Sequence, residues 1–136
     1  LIRKKGIYLE GIMNKHCLFA HVFGGDNELV AFKPDIVFVA VKTYHTISLI
    51  KEILPLKNNN TMVISAQNGI DTDEMFYSVF GKSQTMRMII NYAGNLNAPN
   101  VVKVTFFNPP NYLSSADDSM FESAKIMVKL AYGNPC

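Results

Sequence analysis

Two short apolar runs constrain this chain more than any other feature. Residues 35–41, Asp35-Ile36-Val37-Phe38-Val39-Ala40-Val41, lead into Lys42, and residues 62–66, Met62-Val63-Ile64-Ser65-Ala66, lead into Gln67-Asn68-Gly69. Neither alternates apolar with polar, and both are rich in β-branched residues. Such runs fit strands of a parallel sheet covered on both faces. In open α/β sheets ligands bind beyond the carboxyl ends of the strands. Lys42 and Asn68, each just past such an end, are therefore the first candidates for function.

The elements around these runs recur in a regular order. After a loop at Gly24-Gly25-Asp26-Asn27 and the first strand, residues 46–54 place Ile47, Ile50, Ile53 and Leu54 at helical spacing, and Pro55 closes that helix. Asn58-Asn59-Asn60 is read as a turn, and Asp71-Thr72-Asp73-Glu74 as a capping box before a short helix that ends near Gly81. A third strand is expected over residues 86–92, a loop over 95–100 and a strand over 101–107. Asn108-Pro109-Pro110-Asn111 then breaks regular structure. Residues 118–132 have Phe121, Ala124, Val128 and Ala131 on one helical face, with Gly133 and Pro135 as the stop. Strands alternating with helices predict an α/β domain with a mainly parallel sheet and flanking helices.

Composition excludes several function classes. With 49% apolar and 18% charged residues and a formal net charge of +2, the chain has the make-up of a globular domain and no basic surface for nucleic acid. The stretch 17–23 is too short and wrongly flanked for a membrane span or a signal peptide, and is read as core or sheet. Cys17 and Cys136 form no disulfide framework, which favours a reducing, cytoplasmic setting. His16 and His21 lack partners at ligand-like spacing, so no metal site is expected. The chain begins at Leu1, and Leu1-Ile2 reads as the tail of an apolar strand, so the 136 residues are taken as a fragment.

Each candidate has two readings. Lys42 stands at a strand-to-helix junction, where a cation faces the positive end of the helix dipole at a cost of up to about 1 kcal/mol; a phosphate would remove the conflict, whereas a solvated lysine needs no ligand. Asn68-Gly69 is a common turn pair, yet Ile70 leads into a helix cap and no hairpin partner follows, so the Asn68 amide is placed where it can both donate to and accept from a ligand. Arg3 opens a basic trio, Arg3-Lys4-Lys5, that is either a surface loop or, at the end of the second strand of a dinucleotide-binding unit, the site of an NADP 2′-phosphate.

Four motifs in order, 35–44, Gln67-Asn68-Gly69-Ile70, Asn91-Tyr92-Ala93-Gly94 and Phe107-Asn108-Pro109-Pro110-Asn111-Tyr112, closely resemble the ketopantoate reductase (2-dehydropantoate 2-reductase) family. The likeness covers nearly the whole chain but only the cofactor-binding part of that family's architecture. It implies a partial Rossmann-type fold, with residues 1–136 as one NADP-binding domain lacking the first strand and the glycine-rich turn; no G-x-G-x-x-G occurs in these residues. It implies NADPH as cofactor, ketopantoate as small-molecule substrate, no nucleic acid or membrane partner, and a homo-oligomeric full-length parent. By position, Arg3 matches the 2′-phosphate residue, Lys42 the lysine after the third strand, and Asn68 the asparagine near nicotinamide and substrate, the one catalytic assignment in this chain. Val41, His45 and Ala93 align with cofactor contacts. The family's proton donor is a lysine of a helical domain expected beyond these residues, so the fragment alone is expected to be inactive. A related NADP-dependent 2-keto acid dehydrogenase and a nucleotide-binding module without turnover are the alternatives.

Overall fold

The computed structural model describes residues 1–24 and 26–117, together with Glu122, Lys125, Ile126 and Lys129. Its elements run α1 (Ile2–Lys5), β1 (Ile7–Gly11), β2 (Lys15–Cys17), α2 (Asp26–Phe32), β3 (Ile36–Val39), α3 (Thr46–Ile53), β4 (Met62–Ser65), α4 (Glu74–Phe80), β5 (Thr85–Ile89), β6 (Tyr92–Ala98), β7 (Val101–Phe107) and β8 (Tyr112–Ser115). The chain divides into two compact units, one built on Leu1–Phe23 and Asn91–Asn111, the other on Gly24–Ile90 and β8.

The second unit carries the sheet that the apolar runs predict. Its strand order is β3-β4-β5-β8; β3, β4 and β5 are parallel, and β8 is antiparallel. All four residues of β4 are buried because helices lie over one face and a second apolar cluster covers the other. Val39, Val63, Ile53, Leu56, Phe76 and Phe80 form the cluster under α3 and α4, with Leu29 and Val30 of α2 packed against it. Met62, Ile64, Met86 and Met88 form the cluster on the other face. Each fully buried side chain of this size contributes about 1.5–3 kcal/mol, so β4 is the best-anchored strand. The β3 strand is shorter than residues 35–41 and is buried completely only at Val39, because it is the edge of the sheet.

The helices also depart from the periodic reading. Residues 26–32 fold as α2, which takes in Asp26 and Asn27 of the expected loop, and Lys33, with a φ of 51°, and Pro34 end it. In α3 the packed face is Leu49, Ile50 and Ile53, whereas Ile47 is 61% exposed. The chain beyond Ile53 tightens into a 3₁₀ turn, Leu54–Asn59, that contains Pro55, and Asn60 reverses it with a φ of 56°. No side-chain cap forms at the start of α4: Asp71 adopts a φ of 57°, and the Asp73 carboxylate is engaged elsewhere.

The first unit holds a second sheet, in the order β2-β1-β7-β6, with β1 and β7 parallel and the other pairs antiparallel. Ile2–Lys5 is a single helical turn rather than the end of a strand, stopped by Gly6, whose φ is 65° and where an added Cβ would lie 2.1 Å from the Cys17 carbonyl oxygen. Leu18, Phe19 and Phe23 are exposed and lie outside any strand. The loop expected at 95–100 is mostly strand β6, and Tyr92 opens it rather than closing β5. The β6 strand lies at a sheet edge with all but its last residue exposed, so its order rests on backbone pairing with β7 and its sequence needs no apolar alternation. Bulges at Ala93/Gly94 and Leu96/Ala98 interrupt that pairing.

The Asn108 to Asn111 break has a local explanation. The Asn91 backbone N–H donates to Asn111 Oδ1 at 2.8 Å, its Nδ2 donates to the Pro110 carbonyl at 2.7 Å, and its own carbonyl accepts from Asn108 N–H at 2.9 Å. Two asparagines thus close the turn from both sides. The helix expected over 118–132 falls largely outside the described residues; Glu122, Lys125, Ile126 and Lys129 are helical, and Lys125 and Glu122 pair at 3.3 Å. Among the described residues no helix is long and apolar enough to cross a membrane.

Candidate functional site

The parallel register places the two leading candidates at equivalent positions. Val39, the last residue of β3, pairs with Ser65, the last of β4, and Lys42 and Asn68 each stand three residues further on. One more ladder bond, from Ala66 N–H to the Val39 carbonyl at 2.9 Å, carries the pairing past the strand ends. Lys42 and Asn68 therefore emerge side by side in sequence register at the carboxyl edge of the sheet. Both are exposed.

A residue between them does the joining. Gln67 is buried, and its Nε2 donates to the Val41 carbonyl at 2.8 Å and to Thr46 Oγ1 at 2.9 Å. Ser65 Oγ lies 3.4 Å from Gln67 Oε1 and 3.3 Å from Thr72 Oγ1. The Gln67 amide thus ties the end of β4 to the peptide before Lys42 and to the first residue of α3. Polar groups this deeply buried are costly unless paired, so the network specifies one loop geometry. Gln67 is not among the residues expected from the sequence to form the site; an amide two residues past a buried strand is the signal that marks it.

Lys42 precedes a 3₁₀ turn, Thr43–His45, closed by a bond from His45 N–H to the Lys42 carbonyl at 2.8 Å. Its ammonium makes no hydrogen bond or ion pair among the described residues, so it is presented to solvent at the start of the helical segment. His45 is exposed as well; its ring lies 4.4 Å from that of Tyr44, and its carbonyl accepts from Ser48 Oγ at 2.8 Å. It makes no side-chain cap for α3. Val41 contributes its carbonyl to Gln67 and leaves its side chain partly exposed.

The Asn68-Gly69 corner is fixed from the neighbouring strand. Arg87 of β5 donates through Nη2 to the Gly69 carbonyl and through Nη1 to Asp73 Oδ1 at 3.3 Å. Asp73 also accepts from the Tyr77 hydroxyl at 2.7 Å. Partial burial, together with the Asp73 carboxylate that holds its proton, pushes the Tyr77 phenol up to about 12. At Gly69 an added Cβ would lie 2.8 Å from Thr72 Cγ2, which leaves little room for any other residue. No local pattern marks Arg87, because its partners lie in the corner after β4 and at the N-cap of α4.

Arg3 and Ala93 belong to the other unit. The Arg3 guanidinium donates through Nε, at 3.1 Å, and through Nη2 to the Val22 carbonyl, so the chain itself orients it. Ala93 lies in β6 opposite Phe106, beside a bulge, and its carbonyl accepts from Thr105 Oγ1 at 3.4 Å. Of the six candidates, the structure gathers Val41, Lys42, His45 and Asn68 at one sheet edge.

A cation and an amide at the carboxyl edge of parallel strands suit an anionic ligand. The family described as ketopantoate reductase PanE/ApbA matches residues 2–117. A 2-dehydropantoate 2-reductase of Aquifex aeolicus (strain VF5) is 29% identical over 99 residues, which cover 73% of this chain and 32% of that protein. The crystal structure of 2-dehydropantoate 2-reductase from Geobacter metallireducens GS-15 superposes with a TM-score of 0.77 at 20% identity, over 94% of this chain and 43% of that one. A D-mandelate dehydrogenase solved with NADH and anilino(oxo)acetate gives a TM-score of 0.67 at 17% identity, over 93% of this chain and 40% of that one. The chain spans about a third of the length of the curated relative. With a family match across 116 of its 136 residues, and with Val41, Lys42, His45 and Asn68 gathered at the carboxyl edge of its parallel strands, the chain belongs to the ketopantoate reductase family.

Proposed function

We propose that these residues form the cofactor-binding part of an NADPH-dependent 2-dehydropantoate 2-reductase, which reduces ketopantoate to pantoate in the synthesis of pantothenate and coenzyme A. The observation that carries this reading is the register of the carboxyl edge: Lys42 and Asn68 stand at equivalent distances past paired strand ends in a chain of that family. The donor set fits the cofactor chemically, because Lys42 offers an exposed cation for a phosphate and Asn68 an exposed amide. The nicotinamide, when bound, supplies the hydride. Within this chain, Lys42 neutralises phosphate charge, Asn68 orients the reacting groups, and Val41, His45 and Ala93 contact the cofactor. The general acid that protonates the developing alkoxide is assigned to a residue outside residues 1–136.

Arg3 is the residue we assign to the 2′-phosphate, and it provides the test. In the protein expressed from the complete reading frame, Arg3→Ala should raise KM for NADPH by at least about tenfold and leave KM for NADH within about twofold. Only NADPH carries the 2′-phosphate, and a charge-assisted contact is worth about 1.5–3 kcal/mol. The structurally similar D-mandelate dehydrogenase was solved with NADH, so the choice of nucleotide is the point at issue. An equal loss for both nucleotides would reject the assignment.

A further inference from the structure

The geometry points to Arg87 as a positioning residue for Asn68, an inference that rests on the reading of Asn68 as the orienting amide. Arg87 pairs in register with Ser65, the last residue of β4, so its strand passes directly beside the start of the Asn68 corner. Its guanidinium is part-buried and makes two different bonds, Nη2 to the Gly69 carbonyl and Nη1 to Asp73 Oδ1. A backbone carbonyl needs only one donor. The second N–H, held by Asp73, fixes the plane of the guanidinium and so the direction of the first. Asp73, the N-cap residue of α4, in turn accepts from the Tyr77 hydroxyl at 2.7 Å, which ties the relay to the start of α4.

The consequence for Asn68 follows from its neighbours. On one side Gln67 is anchored to Val41 and Thr46; on the other the Gly69 carbonyl is anchored to Arg87. Asn68 is the exposed residue between two tethered ones, the Gln67 side chain on one side and the Gly69 carbonyl on the other, so the corner that carries its side chain has restricted freedom to move. An asparagine-glycine corner left to itself samples several backbone states, since glycine tolerates both signs of φ. Fixing it in advance reduces the ordering needed when substrate and cofactor meet the amide, and a misplacement on the order of 1 Å can cost about 10²-fold in rate. Arg87 acts through Asn68 without itself contacting ligand.

The test is a double-mutant cycle on the protein expressed from the complete reading frame, assayed with NADPH and 2-dehydropantoate. Arg87→Met keeps the apolar stem and removes both donors; it should lower kcat by about 10- to 100-fold while KM for NADPH changes less than threefold. In an Asn68→Ala background the same change should lower kcat by less than twofold, because there is no amide left to aim. Arg87→Lys, which retains one donor for the Gly69 carbonyl, should recover part of the loss and serves as the variant to compare if Arg87→Met folds poorly. A full additional loss in the Asn68→Ala background, or unchanged kcat in both Arg87 variants, would overturn the positioning role while leaving Asn68 in place. If Asn68→Ala itself leaves kcat unchanged, the reading of Asn68 fails, and this inference with it.

Discussion

The strands β4 and β6 sit in sheets of equal strand number and differ in what surrounds them. Every residue of β4 is buried, between a cluster under α3 and α4 on one face and the methionine-rich cluster on the other. In β6 six of seven residues are exposed, and the strand is an edge, held by its backbone ladder to β7 and broken by two bulges. Burial on two faces demands apolar side chains and leaves a mark in the sequence. An exposed edge demands only that the backbone can pair, so Gly94, Asn95 and Asn97 are acceptable there and look like a loop. At Gly94 the demand is for no side chain, since a Cβ would stand 2.9 Å from the Lys103 carbonyl oxygen.

This contrast makes the largest prediction. Phe76 is completely buried against β4, and Phe76→Ala should destabilise the chain by about 3–5 kcal/mol. Phe106, on β7 in the other sheet and 50% exposed, should lose less than about 1.5 kcal/mol on the same truncation. Urea unfolding of the two variants, read as the shift in midpoint, checks the pair, and comparable losses would show that the second sheet has a core equivalent to the first. A smaller effect probes the polar network at the strand ends. Gln67→Leu keeps the volume but leaves the Val41 carbonyl without its donor, and should cost about 1–3 kcal/mol; the backbone amides at 66–69 should exchange faster with solvent than those within β4.

The smallest effect is a pH dependence. The Tyr77 phenol is raised from 10.0 to about 12, so the folded chain holds that proton more tightly than the unfolded one. Its contribution is fully present below pH 10 and is lost as pH rises towards 12. Tyr77→Phe has no phenol to titrate, and its stability should fall less steeply than that of the parent between pH 10 and 12, measured as the midpoint of urea unfolding at each pH. Parallel slopes would place the cause of any alkaline loss elsewhere.

Legibility of the candidate site followed the same division. Lys42 and Asn68 could be named from the sequence because each follows an apolar, β-branched run that forms a strand, and parallel pairing of two such runs leaves their ends at one edge. The α3 helix was legible as an element, yet its packed face was misjudged by including Ile47, because periodicity fixes spacing and not which neighbour the helix meets. The α4 cap was misread for a related reason: Asp73 has the right spacing to cap locally, but Arg87 and Tyr77 bind its carboxylate instead.

What the sequence determined by itself is the pair of parallel strands, since residues 36–39 and 62–65 are apolar at every position but Ser65; only the second run is covered on both faces, because β3 lies at the edge of the sheet. The family resemblance and the order of the motif residues were also there to be read. Only the tertiary structure decided which polar groups hold the Asn68 corner. Gln67 reaches 26 residues back to Val41 and Arg87 reaches 18 residues back to Gly69, and these partners meet because three strands lie side by side in register. A hydrogen bond between residues that far apart depends on the pairing of whole strands, and no local pattern of side chains encodes it.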